Sequence, residues 1–349
     1  PIQSLFLGMP DAKDMNRFGQ HKITTDTACF HFYNSLKPGN TSFKITDWTS
    51  DIPFFVPLEQ TLQDHKVRSC IIIKNDTILS TYYRKGMDAQ TIHPSYSLAK
   101  SFVSALIGIA IEEGAIGSEL DLVVKYLPNL KGGVELEELN IKHLLNHTSG
   151  IKYDLPLDAT IYYGTNIQKG IQRIKFADAP GTKQHYINVN TQLLGMVLEA
   201  ATGQMFSQYL EQKIWKPLGM CQEGLWSSDR KGQERTFCCL GATALDYAKF
   251  ARLYLKKGDW DGAPIISPIW HQKTICRDTS EGNSFNYNYS WYIGLKEYGD
   301  YMAIGLYKQY LYIHPSKNII IVLLNDREKA LKAERVLWKE VFRQIVDQL

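Results

Sequence analysis

The stretch "SYSLAKSFVSALIGIAIEEGA", residues 95 to 115, constrains this chain most, because it reads as one almost wholly apolar helix. Its longest largely apolar run, Phe102 to Ile111, falls far short of the roughly 20 residues needed to span a bilayer. The helix therefore belongs in a protein core, yet it carries Lys100 in its first turn, three positions after Ser97. At 349 residues the chain is large enough to enclose it, as two compact domains or as one with a large insertion.

Strand signals lie at both ends of the chain. Residues 67 to 84, "VRSCIIIKNDTILSTYYR", are two β-rich runs around Asn75-Asp76, which predicts a hairpin. From Ser97 to about Lys257 apolar residues recur at three- and four-residue steps, as in "TQLLGMVLEAATG", "MFSQYLEQKIWKPLGM" and "ALDYAKFARLYLKKG". Strand character returns in "YMAIGLYKQYLYIHPSKNIIIVLLND", whose two runs flank a turn at Pro315 to Asn318. The chain ends in a segment with Leu331, Val336, Leu337, Val341, Phe342, Ile345 and Val346 spaced to cover one helix face. The expected fold class is therefore α/β in the α+β sense. An α/β domain is assembled from residues 1–115 and 258–349, and a mainly helical domain, 116–257, is inserted between them.

On a helix, positions i and i+3 share a face, so the Ser97 hydroxyl and the Lys100 amine can meet. Apolar surroundings disfavour the ammonium form. A lysine displaced from about 10.4 to near 7 has lost about 4 to 5 kcal/mol of preference for its charge and can accept a proton from serine. The helix start also favours negative charge developing at Ser97. S-x-x-K recurs at Ser149 to Lys152 and Ser228 to Lys231, but only Lys100 precedes a long apolar helix. Tyr186-Ile187-Asn188 is the only Y-x-N in the chain. A tyrosine beside a cationic lysine is expected to shift toward its phenolate and exchange protons with the nucleophile or leaving group, while Asn188 orients both partners.

Together these motifs resemble the serine β-lactamase and penicillin-binding-protein superfamily, in its class C-like branch of carboxylesterases and 6-aminohexanoate-dimer hydrolases. "SYSLAKSFVSALIGIAIEEG", "IKHLLNHTSGI", "PGTKQHYINVNTQLLGMVLEAATG", "YLEQKIWKPLGM" and "GATALDYAKFARLYLKKGDWDG" look like successive family segments in the expected order, over roughly residues 67 to 330. The resemblance implies a β-lactamase/transpeptidase-like fold, an antiparallel sheet flanked by helices with an inserted helical domain, and a site between the two domains. It implies Ser97 as the acylated nucleophile, Lys100 as its activating partner, Tyr186 as the proton relay and Asn188 in support. His147, in the "HTSG" turn, is assigned a structural role.

Relatives carry K-T-G or H-x-G on a late strand, where this chain has Ala303-Ile304-Gly305 followed by Leu306. The basic side chain is missing, but a backbone oxyanion hole from the N–H groups of Ser97 and Leu306 survives, with Gly305 allowing close approach. Recognition of a substrate carboxylate is what the change puts in question. Lys308 stands where oligomer-hydrolase relatives tend to have glycine. Tyr162, Tyr163, Trp226, Trp291 and Tyr307 are further candidate pocket walls.

The expected activity is hydrolysis of a small ester or amide through an acyl-enzyme. The alternatives are a true β-lactamase or D-alanyl-D-alanine carboxypeptidase, and a penicillin-binding or sensor module without turnover. The chain has no G-x-S-x-G, which disfavours a nucleophile-elbow hydrolase. A formal charge of +3, with basic residues scattered among acids, disfavours a nucleic-acid partner. Six cysteines without a C-x-x-C pair are expected to be buried free thiols, and neither metal nor cofactor is expected. A monomer is expected, in a periplasmic or other extracytoplasmic setting rather than the cytoplasm.

Overall fold

The runs "SCIIIK" and "IIIVLL" are apolar without alternation, as strands covered on both faces require, and they pair at the centre of the main sheet. The computed structural model describes residues 10–26, 28–34, 43–47, 54–280, 282–326 and 337–349. Five strands carry most of this sheet: β1 (Ser69–Lys74), β2 (Thr77–Tyr83), β3 (Tyr301–Gly305), β4 (Gln309–His314) and β5 (Ile319–Leu324). Across the sheet the order is Tyr287–Asn288, Trp291–Ile293, β3, β4, β5, β1, β2 and Tyr33–Asn34, antiparallel throughout except for the last pair. The β1–β2 turn places both Asn75 and Asp76 at positive φ, +50° and +58°, the two-residue hairpin geometry these residue types tolerate.

Alternate residues serve two cores. Ile71, Ile73, Ile320 and Val322 face the larger core, whereas Cys70, Ile72, Ile321 and Leu323 face a smaller one. Five helices cover the sheet or carry the site: α1 (Ala99–Glu112), α2 (Leu155–Tyr163), α3 (Asn188–Thr202), α4 (Ala244–Leu255) and α5 (Trp338–Asp347). α5 closes the smaller core with Trp338, Phe342 and Ile345. α1 is buried on every side as its composition demands, packing on α3 and, through Phe102, stacking on Phe250 of α4 at 3.6 Å. Its Gly108 is required, because a Cβ there would lie 2.3 Å from the Trp270 indole.

The structure departs from the expectations in four places. The stretch expected to be mainly helical contains strands Gly224–Ser228 and Leu240–Ala242, which join Gly19–Ile23 and His93–Pro94 in a second sheet. Both strands are short, and although they pair with each other, their outer partners lie far away in sequence. α4, expected with the inserted helices, packs on β4, β5 and β1. Leu337 is exposed, just outside the N-terminus of α5, and Leu331 and Val336 lie outside the described residues. Finally, the cysteines are not all free. Cys29 pairs with Cys221, their Cα atoms 5.0 Å apart, because pairing of Gly19–Ile23 with Gly224–Ser228 brings these distant segments together. Cys238 is bonded to its neighbour Cys239. Cys70 is a buried thiol, pushed up to about 12 by burial, and Cys276 is exposed.

Candidate active site

The approach to α1 is tied down before the helix begins. The Ser95 N–H donates to the Leu240 carbonyl at 2.7 Å, and the Leu240 N–H donates to Ser95 Oγ at 3.1 Å. Tyr96 then takes a left-handed conformation, φ +45°, uncommon for a bulky side chain and of the kind found where a nucleophile is held out of a smooth helix start. The short turn Tyr96–Leu98 leaves Ser97 half-buried between fully buried neighbours. β3 packs against this turn. It can do so only because residue 305 is glycine, since a Cβ there would lie 2.5 Å from the Ser95 carbonyl oxygen. Leu306 follows at the strand end, partly exposed.

Lys100, 1% exposed, lies one turn inward. Its Nζ is 3.1 Å from Ser97 Oγ and donates to Asn188 Oδ1 at 3.0 Å and to the Phe237 carbonyl at 2.8 Å. Burial lowers its pKa from 10.5 to about 7, an effect opposed by the negative charge of Asp158. The amine is therefore substantially uncharged at neutral pH and next to a hydroxyl. At the other two S-x-x-K sites Lys152 and Lys231 are exposed, so neither serine has a desolvated amine.

Tyr186 lies over the same amine, its ring centroid 5.0 Å from Nζ, with its phenol close enough to Ser97 to feel the serine hydroxyl. The expected shift toward phenolate does not occur. Although 43% of the residue faces solvent, burial of its hydroxyl end raises the pKa above 10, and the nearby Tyr292 adds to the rise. The physical reason is that desolvation of the phenol outweighs any help from Lys100, which at about 7 is only partly charged at neutral pH. Tyr186 is thus a neutral phenol able to donate a proton, and the free lone pair belongs to Lys100.

The Tyr186 ring stacks on His147 at 4.4 Å. His147 Nδ1 accepts from the Ile187 N–H at 3.2 Å, holding the Y-x-N turn from below, and burial depresses its pKa well under 6.5. Two groups at the site carry no motif. One is the Phe237 carbonyl; the other is Asp158, on the inward face of α2, one turn before the buried Tyr162. Asp158 Oδ1 accepts from Asn188 Nδ2 at 2.9 Å. The sequence signal for it was a carboxylate four residues before a tyrosine on a short capped helix, too common to single out.

Several expected pocket walls belong elsewhere. Trp226 and Trp291 are wholly buried in the core: Trp226 donates to the Arg235 carbonyl, and Trp291 packs on Tyr254 and Tyr301. Tyr162 and Tyr163 pack against Phe18, and the Tyr162 hydroxyl donates to Asp14, but Tyr162 stays next to the site, lining a small cavity with Tyr96 and lying 6.2 Å from the Phe237 ring. Tyr307 remains beside the nucleophile turn, its ring edge on Tyr96 at 5.2 Å. Lys308, at φ +66° in the β3–β4 loop, has Lys339 of α5 among its charged neighbours. The aromatic surroundings of the site are instead Tyr186, Tyr287, Tyr292 and Phe237. A groove of about 920 Å³ between Tyr126, Lys131, Glu199 and Gln233 is remote from this chemistry. Cys29, His31 and Cys221 bring three potential metal-ligand atoms within 4.8 Å of one another, but the two sulfurs are engaged in the disulfide.

The Beta-lactamase family model matches residues 59–344. The 6-aminohexanoate-dimer hydrolase of Paenarthrobacter ureafaciens is 24% identical over 295 residues, covering 77% of this chain and 75% of its own length. A solved structure from Bacillus anthracis, described as a candidate 6-aminohexanoate-dimer hydrolase, superposes with a TM-score of 0.83 at 22% identity over 95% of this chain and 90% of its own. EstCE1, a hydrolase with promiscuous acyltransferase activity, superposes with a TM-score of 0.60 at 15% identity, over 76% of this chain and 91% of its own. At these identities the two structures establish a shared fold.

Proposed function

The chain belongs to the Beta-lactamase family of hydrolases, and from that premise we propose that it cleaves small neutral esters or amides through an acyl-enzyme on Ser97. The observation that carries the reading is the buried Lys100 amine, lowered to about 7 and 3.1 Å from Ser97 Oγ. Lys100 takes the hydroxyl proton as Oγ attacks the substrate carbonyl. The oxyanion is received by the N–H groups of Ser97 and Leu306. Tyr186, a neutral phenol, passes a proton to the leaving group and recovers one from Lys100. Water then attacks the acyl carbonyl, giving a proton back along the same route and releasing acid and free Ser97. The names of the relatives support amide and ester substrates, and the Cys29–Cys221 bridge is in keeping with an oxidising, extracytoplasmic setting.

Ala303 sets the expected selectivity. It is buried and apolar where the family resemblance leads one to expect a basic side chain, and β-lactams need their carboxylate held while the ring carbonyl enters the oxyanion hole. One lost charge-assisted hydrogen bond costs about 1.5 to 3 kcal/mol, or roughly ten- to a hundredfold in kcat/KM. Nitrophenyl acetate or butyrate should therefore be hydrolysed much faster than nitrocefin. Nitrocefin turnover at or above the ester rate would sink the proposal and favour a true β-lactamase. If Lys308→Ala then removed that turnover, Lys308 would be the substitute carboxylate anchor. In the parent enzyme, kcat/KM for the ester should rise with pH through an apparent value of about 7 as Lys100 loses its proton.

A further inference from the structure

We propose that Asp158 is a positioning residue which, by accepting a hydrogen bond from Asn188, fixes the face that the Asn188 amide turns to Lys100 and so leaves the lysine lone pair directed at Ser97. The proposal rests on Ser97 as the nucleophile and Lys100 as its base.

A neutral lysine amine has two N–H donors and one lone pair. Three oxygen atoms surround Nζ: the Phe237 carbonyl at 2.8 Å, Asn188 Oδ1 at 3.0 Å and Ser97 Oγ at 3.1 Å. The Phe237 carbonyl can only accept. Asn188 presents either an acceptor or a donor, depending on how its amide is turned. A carboxylate cannot donate, so Asp158 Oδ1, 2.9 Å from Asn188, selects the orientation with Nδ2 toward itself and Oδ1 toward Lys100. Both lysine N–H groups are then consumed by obligate acceptors. The remaining direction from Nζ, toward Ser97 Oγ, is where the lone pair must point for the serine to give up its proton. With the amide turned over, Nδ2–H would face Lys100 and compete for that lone pair, stopping the transfer.

Asp158 has a second effect through its charge. The groups surrounding the Lys100 amine are Asp158 from α2, Tyr186 from the turn before α3, and His147 beneath it. Tyr186 is held as a neutral phenol and His147 as a neutral imidazole, since burial raises the one and lowers the other. Of the three, Asp158 is the one that contributes negative charge: burial raises it above the usual carboxylate value, the Asn188 hydrogen bond and the Lys100 charge oppose that rise, and the carboxylate in turn raises the lysine against the larger lowering by burial. Removing the charge while keeping the shape should make Lys100 less basic.

The test follows kcat/KM for nitrophenyl butyrate against pH in the full chain, for the parent, Asp158→Asn and Asp158→Ala, with thermal stability measured alongside. Asp158→Asn drops the charge and, being an amide, can offer Asn188 an oxygen without excluding the reversed orientation, so its acidic limb should move down by about half a unit or more and its plateau should not exceed that of the parent. Asp158→Ala frees the Asn188 amide, and its plateau should fall roughly ten- to a hundredfold, the scale of a misplaced reacting group. A residue that only supported the fold would lower thermal stability and leave the limb where it is. An unmoved limb in Asp158→Asn overturns the proposal, as does a parent-like plateau in a folded Asp158→Ala. If the alanine variant does not fold, the limb of Asp158→Asn decides alone. Fluorophosphonate labelling is run in parallel on the parent and Ser97→Ala. Label that persists in Ser97→Ala sinks the nucleophile assignment, whereas label confined to Ser97 with an unmoved limb sinks the role of Asp158 only.

Discussion

Ser97→Ala should lose turnover by roughly a million-fold, the scale on which deleting a serine nucleophile has been seen to act, while the protein keeps its fold. The size of the effect follows from the lack of an understudy. Ser149 Oγ accepts from the Ile151 N–H in a buried turn, and the lysine three residues on, Lys152, is exposed to water. Ser228 is buried in a strand paired with Gly19–Ile23, and Lys231 is likewise exposed. Neither serine has a desolvated amine to receive its proton. The stability cost should be small, because the change removes one half-buried oxygen and leaves the Ser95 contacts that hold the turn. Ester hydrolysis measured on freshly purified variant, together with mass mapping of fluorophosphonate label, checks this. Residual turnover within tenfold of the parent, or label on Ser149 or Ser228, would remove Ser97 from the mechanism.

The parts of this site that could be read in advance are those in which chemistry and local structure share a short segment. Ser97 and Lys100 lie one helical turn apart, and Tyr186 and Asn188 flank one residue of extended chain, Ile187, so spacing brings each pair to a common face. The β1–β2 hairpin was legible for the same reason, since Asn75 and Asp76 accept the positive φ that its turn needs. Asp158 was not legible, because its partner Asn188 is 30 residues away and only the packing of α2 brings them together. The Phe237 carbonyl belongs to the backbone, and no side chain announces it. The Cys29–Cys221 bridge spans 192 residues and depends on a strand pairing between the N-terminal region and a stretch expected to be helical. Trp226 and Trp291 misled because large aromatics suit a pocket and a core equally well, and composition cannot say which side of a wall they occupy. The ionisation of Tyr186 went wrong one step further along. Its expected phenolate required a charged lysine, and burial both desolvates the phenol and leaves Lys100 only partly charged.

That trade between charge and burial makes the second large effect a gain as well as a loss. Lys100→Met should slow acylation by at least about a hundredfold, as expected on removing a general base, and should remove the pH-dependent stability cost of the buried amine. In the folded chain Lys100 has a pKa of about 7, whereas an unfolded lysine keeps its ordinary value of 10.5. Below pH 7 both states hold the proton, and the folded state bears the full cost of a buried charge, about 4 to 5 kcal/mol for a displacement of this size. Between 7 and 10.5 the unfolded chain binds a proton that the folded one does not, so the stability of the parent rises with pH through this window. Above 10.5 the penalty is gone. Methionine carries no such term, and its advantage over lysine should therefore be greatest at or below pH 7 and shrink steadily toward pH 10. The substitution also leaves the Phe237 carbonyl and Asn188 Oδ1 without their donor, at up to about 1 to 3 kcal/mol each, which reduces the gain at every pH without changing its slope. The slope is consequently the decisive quantity. Denaturant midpoints for parent and Lys100→Met at pH 6, 7, 8 and 9 should converge as pH rises, and parallel curves would mean that Lys100 keeps an ordinary pKa in the folded protein and cannot act as the base for Ser97.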